Sequence, residues 1–143
     1  MGCAAVRLTL ADFVGTWRLA RQIADCRAGV SGVLSGHAMW QVRPDGGLIQ
    51  RETGQLRFGD AAPMRADRVY HWRQIGERFV VSFDDGRPFH DFSQAAPAAR
   101  HNCPPDLYDV AYDFSDWPRW RSIWTVTGPR KDLVIESHFR PDQ

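Results

Sequence analysis

The chain is expected to be all-β: a single antiparallel meander barrel of about eight or nine strands with a short helical turn at its start. Three observations predict this. Apolar and polar residues alternate with period two along most of the 143 residues. Turn chemistry interrupts the alternation at short, regular intervals. Helix signals are confined to Thr9-Leu10-Ala11-Asp12-Phe13-Val14, where Thr9 is placed to cap one turn and Gly15 to end it.

The expected strands are 15–25, 32–43, 47–57, 65–75, 78–84, 87–92, 106–114, 119–127 and 132–140. Between them stand Ala28-Gly29, Pro44-Asp45-Gly46-Gly47, Gly59-Asp60 with Pro63, Ile75-Gly76, Asp84-Asp85-Gly86, Trp117-Pro118 and Gly128-Pro129. Each is a Gly, Pro or Asp punctuation of hairpin length, so successive strands should be antiparallel neighbours. Segment 93–105 is small, Pro-bearing and long, and reads as a loop. A meander of this length must hide its edges, and closing the sheet on itself does so. The length fits one domain, residues 1–143, with no linker, internal repeat or low-complexity tract.

Composition narrows the partners. Formal net charge is +1, from 18 basic and 17 acidic residues mixed along the chain, so neither nucleic acid nor an anionic membrane is an expected partner. Cys3, Cys26 and Cys103 are odd in number and lack a CxxC spacing, which suits a reducing cytoplasm better than a disulfide framework or a zinc knuckle. The N-terminus reads as neither a secretory signal nor an anchor, and no apolar run reaches the length of a membrane span. Oligomeric state is not set by the sequence.

Phe13-Val14-Gly15-Thr16-Trp17-Arg18-Leu19 resembles the Phe-x-Gly-x-Trp start of lipocalins and fatty-acid-binding proteins, the calycin superfamily. The resemblance implies a barrel whose closed end is crossed by Trp17 beneath an arginine of the last strand, the role that falls to Arg140. The whole chain also resembles an uncharacterised family of small bacterial calycin-like proteins. That likeness rests on Gly15-Thr16-Trp17, Asp85-Gly86-Arg87-Pro88-Phe89-His90-Asp91-Phe92, His101-x-Cys103, Asp106-Leu107-Tyr108 and Gly128-Pro129-Arg130-Lys131-Asp132. It implies the fold and leaves activity open.

Alternation assigns side chains to the interior. Tyr108, Val110, Tyr112 and Phe114 form one inward row. Trp120, Ser122, Trp124 and Val126 form another, as do Leu133, Ile135, Ser137 and Phe139, and Phe79, Val81 and Phe83. Some apolar rows carry polar residues inward with them: Arg21 beside Trp17, Leu19 and Ile23; Gln50 and Glu52 between Leu48 and Leu56; His90 between Pro88 and Phe92; Arg68 with Tyr70 and Trp72. Buried polar groups need partners, so the interior holds either a satisfied network, such as Arg21 with Glu52, or a pocket with a few orienting groups.

Two functional classes follow. In the first, the barrel binds a small, partly apolar, anionic molecule, with ligand contacts from Arg21, Trp40, Gln50, Arg68, Tyr70, Trp72, His101, Tyr108, Trp124 and Ser137. In the second, it is a cofactor-free cyclase, isomerase or dehydratase with His90 as general acid or base, assisted by Glu52 and Tyr112. Neither reading calls for a cofactor or a metal. His90, Asp91, His101 and Cys103 cluster in sequence, but without a zinc spacing. A haem held by His90, His101 or His138, as in barrels resembling nitrobindins, is a lesser alternative.

Overall fold

The computed structural model describes residues 7–142, and Cys3 lies outside them. Ten strands form one antiparallel sheet: β1 (Gly15–Asp25), β2 (Val30–Val42), β3 (Leu48–Phe58), β4 (Met64–Ile75), β5 (Arg78–Phe83), β6 (Pro88–Ser93), β7 (Ala98–Cys103), β8 (Asp106–Asp113), β9 (Trp120–Thr127) and β10 (Asp132–Pro141). The hydrogen-bonded order is β6-β5-β4-β3-β2-β1-β10-β9-β8-β7. Pairing of the first and last strands rolls the meander into a barrel, with Trp17 opposite Pro141 and Arg21 opposite Ser137. The described residues contain no helix long and apolar enough to cross a membrane.

The tenth strand is β7, inside the segment expected to be a loop. Ala98-Ala99-Arg100-His101-Asn102-Cys103 carries no large aliphatic residue, so its alternation is faint. It becomes a strand because β8 offers a partner, with His101 opposite Tyr108 and Cys103 opposite Asp106. Cys103 is exposed at the end of it. Closure is also incomplete. No ladder joins β6 to β7, which lie side by side as a seam.

β2 and β3 approach each other most tightly at a pair of glycines. Gly36 faces Gly54, and a Cβ on Gly36 would lie 2.0 Å from the Thr53 carbonyl oxygen, so only glycine lets the strands approach there. A change of face occurs at β6. The register slips between Val81 and Ser82, pairing Val81 with His90 and Ser82 with Pro88. This bulge turns Phe89 and His90 both inward and leaves Pro88 exposed, which corrects the expectation that Pro88 and His90 share a face.

One end of the barrel is sealed by α1 (Leu10–Phe13). Asp12 accepts hydrogen bonds from the backbone N–H and hydroxyl of Thr9, holding the turn. Gln94 and Gln74 accept the backbone N–H groups of Leu8 and Leu10 and tie the segment to the rim. Gly15 then adopts φ +130°, a region other residues rarely visit, and redirects the chain into β1. The plug itself is Phe13, wholly buried, whose ring meets those of Trp40, Trp72, Phe79, Phe114, Trp117 and Trp120 at centroid distances of 5.2–6.3 Å. Trp17 crosses the same end and donates its indole N–H to the Phe13 carbonyl at 2.9 Å. Arg140 does not lie over it. Opposite Arg18 in the ladder and exposed, Arg140 points out of the barrel, because inward Phe139 forces its neighbour outward.

Truncating Phe13→Ala should therefore cost about 3–5 kcal/mol, the range for emptying a buried phenylalanine site, measured as a lowered denaturation midpoint. Loss under about 1 kcal/mol would show that the plug is dispensable.

Candidate functional site

Above the aromatic floor the interior becomes polar. Arg21 on β1 donates through Nη2 to both carboxylate oxygens of Glu52 on β3, at 2.9 and 3.1 Å, and through Nε to Ser137 on β10 at 2.7 Å. Gln50 donates to Glu52 at 2.9 Å and accepts the Trp72 indole N–H at 2.6 Å. Five side chains on β1, β3, β4 and β10 thus form one satisfied chain, with Arg21 and Glu52 each more than nine-tenths buried. A buried ion pair survives through such additional partners, because attraction alone rarely repays desolvation.

Across the barrel, His90 Nε2 lies 2.8 Å from the Tyr112 hydroxyl. Burial, helped by the nearby His101, lowers the His90 pKa to about 4, so the ring is neutral at neutral pH. Burial likewise pushes the Tyr112 phenol well above its ordinary value, with Tyr70 and Glu52 adding to the effect. Its retained proton is free to be donated to Nε2, and His90 Nδ1 then has no partner. The buried indole N–H of Trp124 has none either.

Arg21, Gln50, Glu52, Tyr70, Trp72, His90, Tyr112, Ser122 and Trp124 surround a cavity of only about 20 Å³. That admits one water and no organic substrate. The residues considered for acid–base chemistry therefore meet at one place, but His90 and Tyr112 bond to each other while Glu52 is committed to Arg21 and Gln50. The space beside His90 is also too small for a haem as the side chains stand.

Toward the other end the rings are only partly covered. Phe83, His101, Tyr108 and Trp124 are half-buried, as are Ile23, Leu56, Leu133 and Ile135. The four rings surround Phe89, which stacks on Phe83 at 4.7 Å and on Tyr70 at 6.0 Å and meets Trp124 at 5.1 Å, His101 at 5.4 Å and Tyr108 at 5.8 Å. Arg68 lies exposed on this rim, close enough to hydrogen-bond Tyr70. Burial raises the Tyr70 pKa, and the Arg68 charge works against that rise.

Of the residues expected to contact ligand, Arg21, Gln50, Tyr70, Trp72, Trp124 and Ser137 gather in or against the polar layer, and Arg68, His101 and Tyr108 border the mouth. Trp40 does not join them. It is completely buried in the aromatic floor. Phe89 escaped the alternation argument because of the bulge, which Pro88, an ordinary first residue of a strand, does not announce. Among the described residues, no group of three or more His, Cys, Asp or Glu side chains is arranged to hold a metal, and His138 lies on the outer wall.

Two outcomes are expected. Glu52→Gln leaves the Arg21 charge buried without its counter-ion and should cost about 3–5 kcal/mol, whereas Arg21→Met with Glu52→Leu should recover most of the loss; chemical denaturation of the three proteins decides. Second, because the folded His90 pKa lies below its unfolded value, stability is full above about pH 6.5 and falls as pH drops toward 4, by on the order of 3 kcal/mol. His90→Gln should flatten that part of the stability profile, and an unchanged slope would remove His90 as its source.

Comparison with known proteins supports the architecture. The S-type phycobiliprotein lyase of Guillardia theta superposes with a TM-score of 0.63 at 8% identity, covering 94% of this chain and 90% of that one. A DUF3598 protein of unknown function from Nostoc punctiforme superposes at 0.60 with 13% identity, over 92% of this chain and 48% of that one. At such identities the likeness is one of fold. No curated protein matches the sequence. Residues 13–141, from the plug to the end of β10, match the model of a family of unknown function, DUF6314, and the chain belongs to that family.

Proposed function

We propose that this is a calycin-like binding barrel that takes a small, partly apolar, anionic molecule at its open end. The observation that carries the reading is the change in burial along the barrel axis. Most rings on the plug side are buried, with Phe114 and Trp117 half-buried at its edge, while those on the mouth side, with Ile23, Leu56, Leu133 and Ile135, leave a continuous apolar inner surface partly uncovered. Such a bowl gains by burying a ligand of complementary shape.

The charge preference follows from the partners. Arg21 is already neutralised by Glu52, so it orients the polar layer and does not clamp an anion. Arg68, exposed at the rim and bonded to a neutral phenol, is the cation left for an acidic group. His101 and Tyr108 add polar edges to the apolar wall, and the unpaired Trp124 N–H supplies a donor beneath it. The fold shared with the phycobiliprotein lyase is consistent with a ligand-handling barrel.

Anilinonaphthalene sulfonate, an apolar anion, is the probe. The folded protein should bind it saturably at one site, with quenching of tryptophan emission. Arg68→Glu should weaken binding about tenfold, the equivalent of about 1.4 kcal/mol, without lowering Tm. Unsaturable binding, or an affinity indifferent to both Arg68→Glu and Tyr108→Ala, would sink the proposal.

A further inference from the structure

A concavity of about 750 Å³ lies outside the barrel. It sits on the outer wall of β2, β1, β10 and β9, under the loop that joins β8 to β9. That volume falls within the range of small-molecule sites, whereas the interior cavity does not.

The strand register arranges its side chains in two rungs. The first places His37, Arg18 and Arg140 side by side on β2, β1 and β10. The second runs Ser35, Ala20, His138, Arg121 and Asp113 across β2, β1, β10, β9 and β8. Ser35, Gly36 and Ala20 are small and make the floor, while Arg119 and Asp116 stand on the overhanging loop. Arg18 and Arg140 are direct cross-strand neighbours, a like-charge arrangement that costs stability unless an anion is shared between them. Asp142 pairs with both Arg18 and His37, at 3.4 Å each, and Asp113 pairs with Arg121 at 3.3 Å. Arg140 and Arg119 have no ion-pair partner among the described residues.

The geometry points to a second ligand site here, for a small molecule with a phosphate group at one end and hydroxyl or amine donors at the other. The phosphate would bridge Arg18 and Arg140, whose planar guanidinium groups suit its oxygens. The donors would meet Asp116 and, beside it, Asp113, whose carboxylate also accepts from the Ser115 N–H and hydroxyl. An extended polyanion fits less well, because those two carboxylates interrupt the basic surface and the whole chain carries a net charge of only +1. The site is separate from the mouth: its outward side chains alternate with the inward ones that build the core.

The test is a titration of arginine side-chain Nε–Hε resonances with inorganic phosphate, then glucose phosphate, then free glucose, at fixed ionic strength. Saturable shifts confined to Arg18, Arg119, Arg121 and Arg140 are expected. Glucose phosphate should bind more tightly than phosphate, and free glucose should have no effect. Arg140→Glu should weaken glucose phosphate about tenfold or more, and Arg140→Gln less, with Tm not lowered in either because the side chain is exposed and its like-charge neighbour Arg18 is relieved. Arg65→Glu, at a distant exposed pair, should change nothing. Shifts spread linearly over all arginines would overturn the proposal. So would an affinity unaffected by Arg140→Glu, or stronger competition from phosphatidylserine vesicles or duplex DNA than from glucose phosphate.

Discussion

The buried contact between Arg21 and Glu52 is the constraint around which the interior is arranged. A guanidinium and a carboxylate removed from water must satisfy each other and their remaining hydrogen-bonding capacity, and Ser137, Gln50 and Trp72 complete the set. Together the five side chains lie on four different strands, so the network also fixes register. A slip of one residue in β3 would carry Glu52 to solvent and strand Arg21 in the core. The layer separates two regimes: below it, aromatic rings pack around a wholly buried Phe13; above it, the same barrel leaves rings and aliphatic side chains partly bare.

Much of this could be read in the sequence because alternation in a strand is strict. Trp17, Leu19 and Arg21 share a face by spacing alone, as do Gln50 and Glu52, and the pairing of Arg21 with Glu52 was one of the two interiors expected. What escaped has physical causes. The bulge at Phe89 inserts a residue into the count, and no periodic argument survives an insertion. The strand β7 is made by its neighbour β8 more than by its own Ala-rich sequence. Arg140 was assigned through likeness to a known motif, yet the parity of Phe139 places it outside.

The outer rungs illustrate a different limit. Alternation shows that Arg18, Arg121 and Arg140 point away from the core, but only the register between strands shows that Arg18 and Arg140 are neighbours. Residues separated by most of the chain meet because the first and last strands pair. The inside of this barrel is nearly filled and the outside is hollowed, the reverse of the simplest image of a binding barrel. The two structural likenesses support the architecture around both surfaces.

The seam between β6 and β7 has a mechanical meaning. Cα atoms of the two strands come within 8 Å, while inserting a guest strand would require about 10 Å, two ladder spacings. Each edge thus shields the other from templating foreign chains, with Asp91 and Arg100 adding charge along the slot. A closed hoop can widen only by breaking ladder hydrogen bonds. A split ring can widen at its gap with every existing ladder intact, and Phe89 and His90 stand on the lip that would move.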